Sequence, residues 1–191
     1  MSVKIGIIIG STRPSRVGAT IGKWAYDSLP KKAGVSYDLI DLAEENLPFL
    51  KDSAMPAMEK YDQESTKKWS EKIKSYDGYI WVTSEYNAAP PAPLKNAIDT
   101  VYNEWSKKPV AFVGYGGFGG ARAIEHLVTS ASRIGMVPLS SSGSNLHVID
   151  VWSAIDDEGN VKAEYIRGNP EDVENNLVWW AELLKTARTE A

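Results

Sequence analysis

The chain has 191 residues, the size of one compact α/β domain, and we expect residues 1–191 to form a single domain around one hydrophobic core. It contains no cysteine, which excludes thiolate nucleophiles, disulfides and thiolate metal sites, so any redox chemistry must come from a bound cofactor. The formal net charge of −4, with both signs interspersed, argues against a nucleic-acid partner.

No part of the sequence predicts a membrane segment. The apolar run near the N-terminus is only a few residues long and lacks a cleavage site, and no later run approaches the ~20 apolar residues of a membrane-spanning helix. We therefore expect a cytoplasmic protein with no membrane partner.

The first part of the chain alternates strands with helices. Val3 to Ile9 is an almost uninterrupted apolar run, typical of a parallel strand that is covered on both faces. From Gly18 the apolar residues recur at helical spacing, which predicts a helix after a short loop. Val35 to Leu42 predicts a second strand, and Pro48 to Asp62 predicts a long polar loop.

The same alternation continues through the middle of the chain. A charged helix is predicted from Glu64 to Ser75, and a third strand from Gly78 to Thr83. The loop "SEYNAAPPAP", which three prolines stiffen, then leads into a helix. A fourth strand, Val110 to Gly114, ends in "YGGFGG" before a helix from about Ala121 to Arg133.

The last part of the chain completes the predicted sheet. Met136 to Ser140 predicts a fifth strand, and "VWSAIDDEGNVKAEYI" is interpreted as a hairpin because two strand-like flanks surround a Gly/Asn turn. Asn169 is a helix N-cap and Pro170 a first-turn proline, which predicts a closing helix to Arg188. The whole pattern predicts an α/β fold: a doubly wound, five-stranded parallel sheet with helices on both faces.

Three unusual loops follow strands one, three and four: "GSTRPSRVG", "SEYNAAPP" and "YGGFGG". In an open α/β sheet the ligand binds beyond the carboxyl ends of the strands, where the strand order reverses, and these loops are expected to meet there. The first loop offers helix N-terminal amides, hydroxyl groups and the guanidinium groups of Arg13 and Arg16, which suits a terminal phosphate. The plainer interpretation is a turn with solvated arginines.

The glycines of the third loop allow the main chain to approach a flat ligand closely, because no Cβ intervenes. Gly114 to Gly119 matches G-x-G-x-x-G, but "MVPLSSSG" lacks the acid that a dinucleotide site needs about 20 residues further on. Asp41 ends the second strand as such an acid would, yet the loop before it has the wrong glycine spacing. That first loop is not a Walker A sequence either, because no Gly-Lys-Ser/Thr follows.

Three segments, "GSTRPSRVG", "SEYNAAPPAPLKNAIDTVYNEW" and "KPVAFVGYGGFGGARA", resemble the NAD(P)H-dependent FMN reductase family in order and spacing, over roughly Val3 to Leu139. This flavodoxin-like family includes quinone, azo-compound and chromate reductases. The resemblance implies bound FMN, NADPH or NADH as the electron donor, and quinones, flavins, azo compounds or chromate as acceptors. It also implies a ping-pong cycle and a homodimer or tetramer.

The resemblance further implies which residues hold FMN. The phosphate would contact the first loop, and the isoalloxazine ring would lie along the second loop, with the third loop closing its pyrimidine end mainly through backbone groups. The residues concerned are Ser11, Arg13, Arg16, Val17 and Gly18 in the first loop, Glu85, Tyr86, Asn87 and Ala88 in the second, and Tyr115, Gly116 and Gly117 in the third. Two positions depart from the family pattern, Ser84 in place of a proline and the bulky Tyr115.

No catalytic acid or base and no metal ligand is expected, because hydride transfer to a flavin needs stacked rings rather than proton transfer by a side chain. We expect the backbone N–H groups of Gly116 and Gly117 to stabilise negative charge on the reduced ring. Two other functions stay open. One is a flavodoxin-like electron carrier, and the other is a phosphoryl-ligand binder without flavin or a hydrolase centred on Ser11.

Overall fold

A β-sheet with helices on both faces organises residues 2–141 and 143–190, which the computed structural model describes. Its strands are β1 (Val3–Ile9), β2 (Val35–Asp41), β3 (Gly78–Ser84), β4 (Pro109–Tyr115), β5 (Val137–Pro138), β6 (Asn145–Val148) and β7 (Ile166–Arg167). Its helices are α1 (Gly18–Ser28), α2 (Leu42–Glu45), α3 (Glu64–Lys74), α4 (Ala92–Asp99), α5 (Ala121–Arg133), α6 (Val151–Ala154) and α7 (Pro170–Thr189). Short 3₁₀ turns occur at Pro56–Met58, Asn103–Trp105 and Ala163–Tyr165.

The strand order is β2-β1-β3-β4-β6-β7, with β5 also paired to β4. The neighbouring strands are parallel except for β6 and β7. Because the order reverses between β1 and β3, the loops after β1, β3 and β4 leave the sheet side by side at its carboxyl edge. The predicted α/β, flavodoxin-like architecture is confirmed.

The central strands are buried along their whole length because helices cover both of their faces. Every residue of β3 and β4 is buried. One face packs against α1 and α7, and its core includes Ile7 and Val113. The other face packs against α3, α4 and α5, where Trp105 makes edge-to-face contacts with Trp69 and Trp81. The two cores fix the carboxyl edge from both sides.

The fifth parallel position is built from two short strands, and the strand predicted over Met136 to Ser140 is confirmed but covers only Val137–Pro138. β5 pairs with Pro109 and Val110 at the start of β4. β6 lies on the same side of β4, nearer its carboxyl end, and pairs with residues 112–115 of β4. Pro138 has no N–H for a longer ladder, which explains why the first of the two strands is so short.

The hairpin predicted for "VWSAIDDEGNVKAEYI" is wrong over its first half, which forms α6. A hairpin-like turn remains beyond α6 as an isolated bridge between Ile155 and Val161. The closing helix agrees with the prediction, because the Asn169 side chain accepts a hydrogen bond of 2.8 Å from the backbone N–H of Glu171 and Pro170 opens α7. None of the helices in the described ranges is long and apolar enough to cross a membrane.

Candidate active site at the carboxyl edge of the sheet

A cavity of about 210 Å³ lies where the loops after β1, β3 and β4 meet. Seven of the predicted site residues line it: Arg13, Val17, Glu85, Tyr86, Tyr115, Gly116 and Gly117. A neighbouring cleft of about 290 Å³ shares Arg13 and Tyr86 with the cavity and adds Ser11. The structure therefore brings the three predicted loops together around one concave surface.

Beside this cavity, α1 begins without a side-chain cap. Its N-cap residue, Val17, makes no capping hydrogen bond, and the first turn contains no acidic residue. The first amides of a helix have no partner within the helix and favour an anion. The N-terminus of α1 is thus available to a negatively charged group.

Buried hydroxyl groups lie next to this helix end. Ser11 is 1% exposed and Ser84 is 5% exposed, and neither side-chain oxygen has a hydrogen-bond partner among the described residues. A Cβ on Gly18 would stand 2.5 Å from both Ser11 Oγ and the Tyr115 hydroxyl, so only a glycine leaves room there. Unsatisfied buried hydroxyls beside bare amides fit a ligand that accepts hydrogen bonds, such as a phosphate.

The two arginines of the first loop have different surroundings. The Arg16 guanidinium binds the Asp41 carboxylate with two hydrogen bonds of 2.7 and 2.5 Å, and it also donates to the backbone carbonyl of Ser11. Arg13 is exposed, lines the cavity and forms no ion pair with any acid in the described part of the chain. Arg16 therefore holds the loop against the end of β2, and the charge of Arg13 remains available to a ligand.

The second loop contains a tight turn at its tip. The backbones of Tyr86 and Ala89 exchange two hydrogen bonds, of 2.9 and 3.0 Å, across Asn87 and Ala88. Both central residues have positive φ, 50° and 65°, as in a type I′ turn. Asn87 and Ala88 are exposed at this tip and do not line the cavity, unlike Tyr86 at the base of the turn.

Glu85 connects the second loop to the start of α5, just beyond the third loop. Its carboxylate accepts hydrogen bonds from the backbone N–H groups of Arg122 and Ala123, at 3.0 and 3.3 Å, and from the Arg122 side chain at 2.9 Å. An acid at a helix N-terminus is stabilised in this way. Glu85 thus caps α5 and is the fixed wall of the cavity.

The glycine loop is held by β6 and the segment that follows it. The Gly116 N–H donates to the Val148 carbonyl at 3.3 Å, and the Gly119 carbonyl lies 2.9 Å from His147 Nδ1. The Gly117 N–H has no hydrogen-bond acceptor within residues 2–141 and 143–190. Of the two amides expected to face a ligand, Gly116 is therefore already engaged and Gly117 is free.

The cavity also contains an aromatic wall that the sequence analysis missed. Trp152 of α6 is 79% exposed and its ring lies against Gly117. The interpretation of this segment as a hairpin concealed the residue. The sequence held no signal that Trp152 would be exposed beside the glycine loop, because neither β6 nor α6 was predicted.

The arrangement is suited to binding and orienting rather than to proton transfer. Glu85 is the carboxylate in the cavity wall, and its oxygens are occupied by α5. A tyrosine hydroxyl is protonated at neutral pH, and burial raises the pKa of Tyr115 further. No cluster of His, Asp and Glu able to hold a metal ion occurs in the part of the chain that the structure describes.

The sheet order and the loops at the carboxyl edge define the flavodoxin-like class of α/β proteins, in which FMN binds at the switch point between β1 and β3. Residues 3–148 match the family described as NADPH-dependent FMN reductase. The chain belongs to this family, and its activity is that of an FMN-dependent NAD(P)H oxidoreductase.

Individual relatives agree with the family match. An NAD(P)H-dependent FMN reductase of Nectria sp. is 37% identical over 95% of this chain and 97% of the relative. A 2-hydroxy-1,4-benzoquinone reductase of Burkholderia sp. is 28% identical over 87% of this chain and 90% of the relative. The solved structure of the flavoenzyme NAD(P)H:(acceptor) oxidoreductase FerB of Paracoccus denitrificans has the same fold, with a TM-score of 0.65 at 22% identity over 96% of this chain and 94% of that chain.

Proposed function

We propose that this chain reduces quinones and related acceptors with electrons from NADPH or NADH in a ping-pong cycle. The observation that carries the proposal is the juxtaposition of the uncapped α1 N-terminus, the unsatisfied Ser11 and Ser84 hydroxyls, and an open cavity with no free acid or base in its described wall. The overall reaction is NAD(P)H + H⁺ + quinone → NAD(P)⁺ + hydroquinone.

Each loop has a separate task in the proposed site. The amides that begin α1, together with Ser11 and Arg13, bind the phosphate of FMN, and Arg16 keeps their loop in place through Asp41. When bound, FMN supplies the group that accepts and then releases a hydride, so the protein need only hold the rings together.

The second and third loops bind the ring. Tyr86 and the fixed Glu85 border one side, and Gly116 with Gly117 borders the other. The free Gly117 N–H is the donor that stabilises negative charge on the reduced ring, a role that Gly116 cannot share while it donates to Val148. Asn87 and Ala88 contribute through the shape of their turn.

Exposed side chains at the cavity support the ping-pong order. Arg13, Tyr86 and Trp152 line the cavity and are accessible to solvent, so the nicotinamide can leave before an acceptor enters the same place. The names of the relatives support quinones as acceptors, since several are quinone reductases. Free flavins, azo compounds and chromate are further acceptors to test.

We also propose a cytoplasmic homodimer, with a tetramer as the larger alternative. Its interface would cover apolar side chains that are exposed in the single chain, such as Phe49 at 76% and Met55 at 69%. Size-exclusion chromatography with light scattering checks the oligomer, and a monomer at micromolar concentration would overturn it.

Spectroscopy and kinetics test the function together. We expect the purified protein to bind FMN, to turn yellow, and to oxidise NADPH in the presence of 1,4-benzoquinone with parallel lines in double-reciprocal plots. Protein stripped of flavin is the control. Failure to bind flavin would favour the phosphoryl-ligand binder, and flavin binding without turnover of free NADPH or NADH would favour the electron carrier.

A further inference from the structure

The Ser11 and Tyr115 hydroxyls lie beneath the N-terminus of α1, and the Ser84 hydroxyl faces that of Tyr115. The three residues come from three different strand ends. Ser11 follows β1, Ser84 is the last residue of β3, and Tyr115 is the last residue of β4. Ser84 and Tyr115 are direct partners in the parallel register of β3 and β4. We call these three residues the hydroxyl cluster.

The hydroxyl cluster is buried, and its members face one another. Tyr115 is 4% exposed, and burial raises its pKa against the smaller opposing effect of the Ser11 and Ser84 hydroxyls that face it. Neither serine oxygen has a hydrogen-bond partner outside the cluster in the described residues. Such groups are unfavourable inside a protein unless a ligand or an ordered water satisfies them.

The surroundings of the cluster contain hydrogen-bond donors and a positive charge. The α1 amides are uncapped, and Arg13 lines the same cavity as Ser84 and Tyr115. Each hydroxyl can donate one hydrogen bond while it accepts another from a neighbour. A set of donors without a free carboxylate suits an anion with several acceptor oxygens, which describes a phosphate.

We propose that Tyr115 is a selectivity residue, because its hydroxyl, with those of Ser11 and Ser84, completes the binding site for the phosphate of FMN. This inference rests on the proposed function. Tyr115 also directly precedes Gly116 and Gly117, which border the ring. One side chain thus joins the phosphate end of the site to the loop at the ring end, and the chain discriminates FMN from riboflavin.

The test compares two ligands that differ only in the phosphate. Dissociation constants of FMN and riboflavin are measured by quenching of flavin fluorescence with the wild type, Tyr115→Phe and Ser84→Ala. A hydrogen bond to a charged group is worth about tenfold to a hundredfold in affinity. We therefore expect Tyr115→Phe to weaken FMN binding by at least about tenfold, Ser84→Ala to weaken it less, and riboflavin binding to change by less than about twofold.

A matched control removes a buried tyrosine hydroxyl elsewhere. Tyr37, on the edge strand β2 and away from the cavity, donates a hydrogen bond of 2.5 Å to the carboxylate of Glu174 on α7. Tyr37→Phe should lower the stability to urea while it leaves both dissociation constants unchanged. This variant separates a general loss of packing from the loss of a phosphate contact.

Each outcome has a defined meaning. If Tyr115→Phe leaves FMN affinity unchanged, or weakens FMN and riboflavin equally, the phosphate role is overturned while the proposed function stands. If the wild type binds neither flavin, the proposed function itself fails. If Tyr115→Phe does not fold, Ser84→Ala decides, because an unchanged preference for FMN in that variant also overturns the inference.

Discussion

Buried polar groups have hydrogen-bond partners at one edge of the sheet and lack them at the other. At the amino edge, the Asp77 carboxylate is surrounded by partners: the Lys4 backbone N–H at 3.0 Å, the Lys185 ammonium at 2.8 Å and the Arg188 guanidinium at 2.9 Å. Close by, the buried Lys108 ammonium donates to the last carbonyls of α3. These charges join the strands to the closing helix.

At the carboxyl edge, buried polar groups are left without partners. Ser11 and Ser84 have none among the described residues, and the amides that begin α1 are uncapped. Burying such groups unsatisfied costs stability. The contrast teaches that one edge stabilises the fold, whereas the other edge keeps its hydrogen-bonding capacity for a ligand, as is common at functional sites.

The variant with the largest expected effect on this comparison is Asp77→Ala. Removing the carboxylate leaves two cations and one backbone N–H without their partner, and we expect a loss of about 3 kcal/mol in the free energy of unfolding. Urea denaturation measures this loss. FMN affinity of the folded protein should be unchanged, and a large fall in that affinity would contradict the separation of the two edges.

The pH dependence of stability at Lys108 is a second test of the comparison between the two edges. Burial lowers its pKa to about 7 in the folded chain, from 10.5 for an ordinary lysine. Between these values the unfolded chain binds the proton and the folded chain does not, so stability should rise with pH, by about 2 kcal/mol from pH 7.5 to pH 9. Urea denaturation of Lys108→Met should show a flatter pH profile, and equal slopes for both proteins would contradict the prediction.

Arg13 and Arg16 allow the comparison between an available group and a paired group to be made within a single loop. Arg13→Ala removes an exposed cation that has no acid partner in the described residues, so it should weaken FMN binding by about tenfold with little change in stability. Arg16→Ala breaks the pair with Asp41 and should lower both FMN affinity and stability. Titration with FMN and urea denaturation distinguish the two variants, and identical behaviour would refute their separate roles.

The long strands β1, β3 and β4 were predictable because both of their faces are buried, which makes each an apolar run that is visible without any partner. The segment around His147 is strand-like, but β6 was not counted among the five predicted strands because Asn145 and His147 interrupt its apolar pattern. Asn145 belongs there for a reason that local sequence does not reveal, since its side-chain oxygen accepts a hydrogen bond of 2.9 Å from the backbone N–H of Phe112.

The candidate site was predictable as three loops, but the pairings inside it were not. Arg16 and Asp41 are 25 positions apart, and Glu85 and Arg122 are 37 positions apart. Spacing along the chain contains no signal for such contacts, because the sheet topology creates them. Motifs therefore locate the ligand edge, whereas the structure is needed to tell which polar groups are already occupied.

The turn at Asn87 and Ala88 gives the smallest expected effect. Ala88 has a φ of 65°, a region that disfavours residues with a Cβ, so the carboxyl edge stores strain in its backbone as well as unsatisfied hydroxyls. Ala88→Gly should raise the free energy of unfolding by about 0.5 kcal/mol. Ala89→Gly, at a position without positive φ, should lower it instead because it adds freedom to the unfolded chain. If Ala88→Gly destabilises the protein as much as Ala89→Gly in urea denaturation, the backbone of the turn is unstrained. The cost of the carboxyl edge then lies in its unsatisfied hydroxyl groups alone.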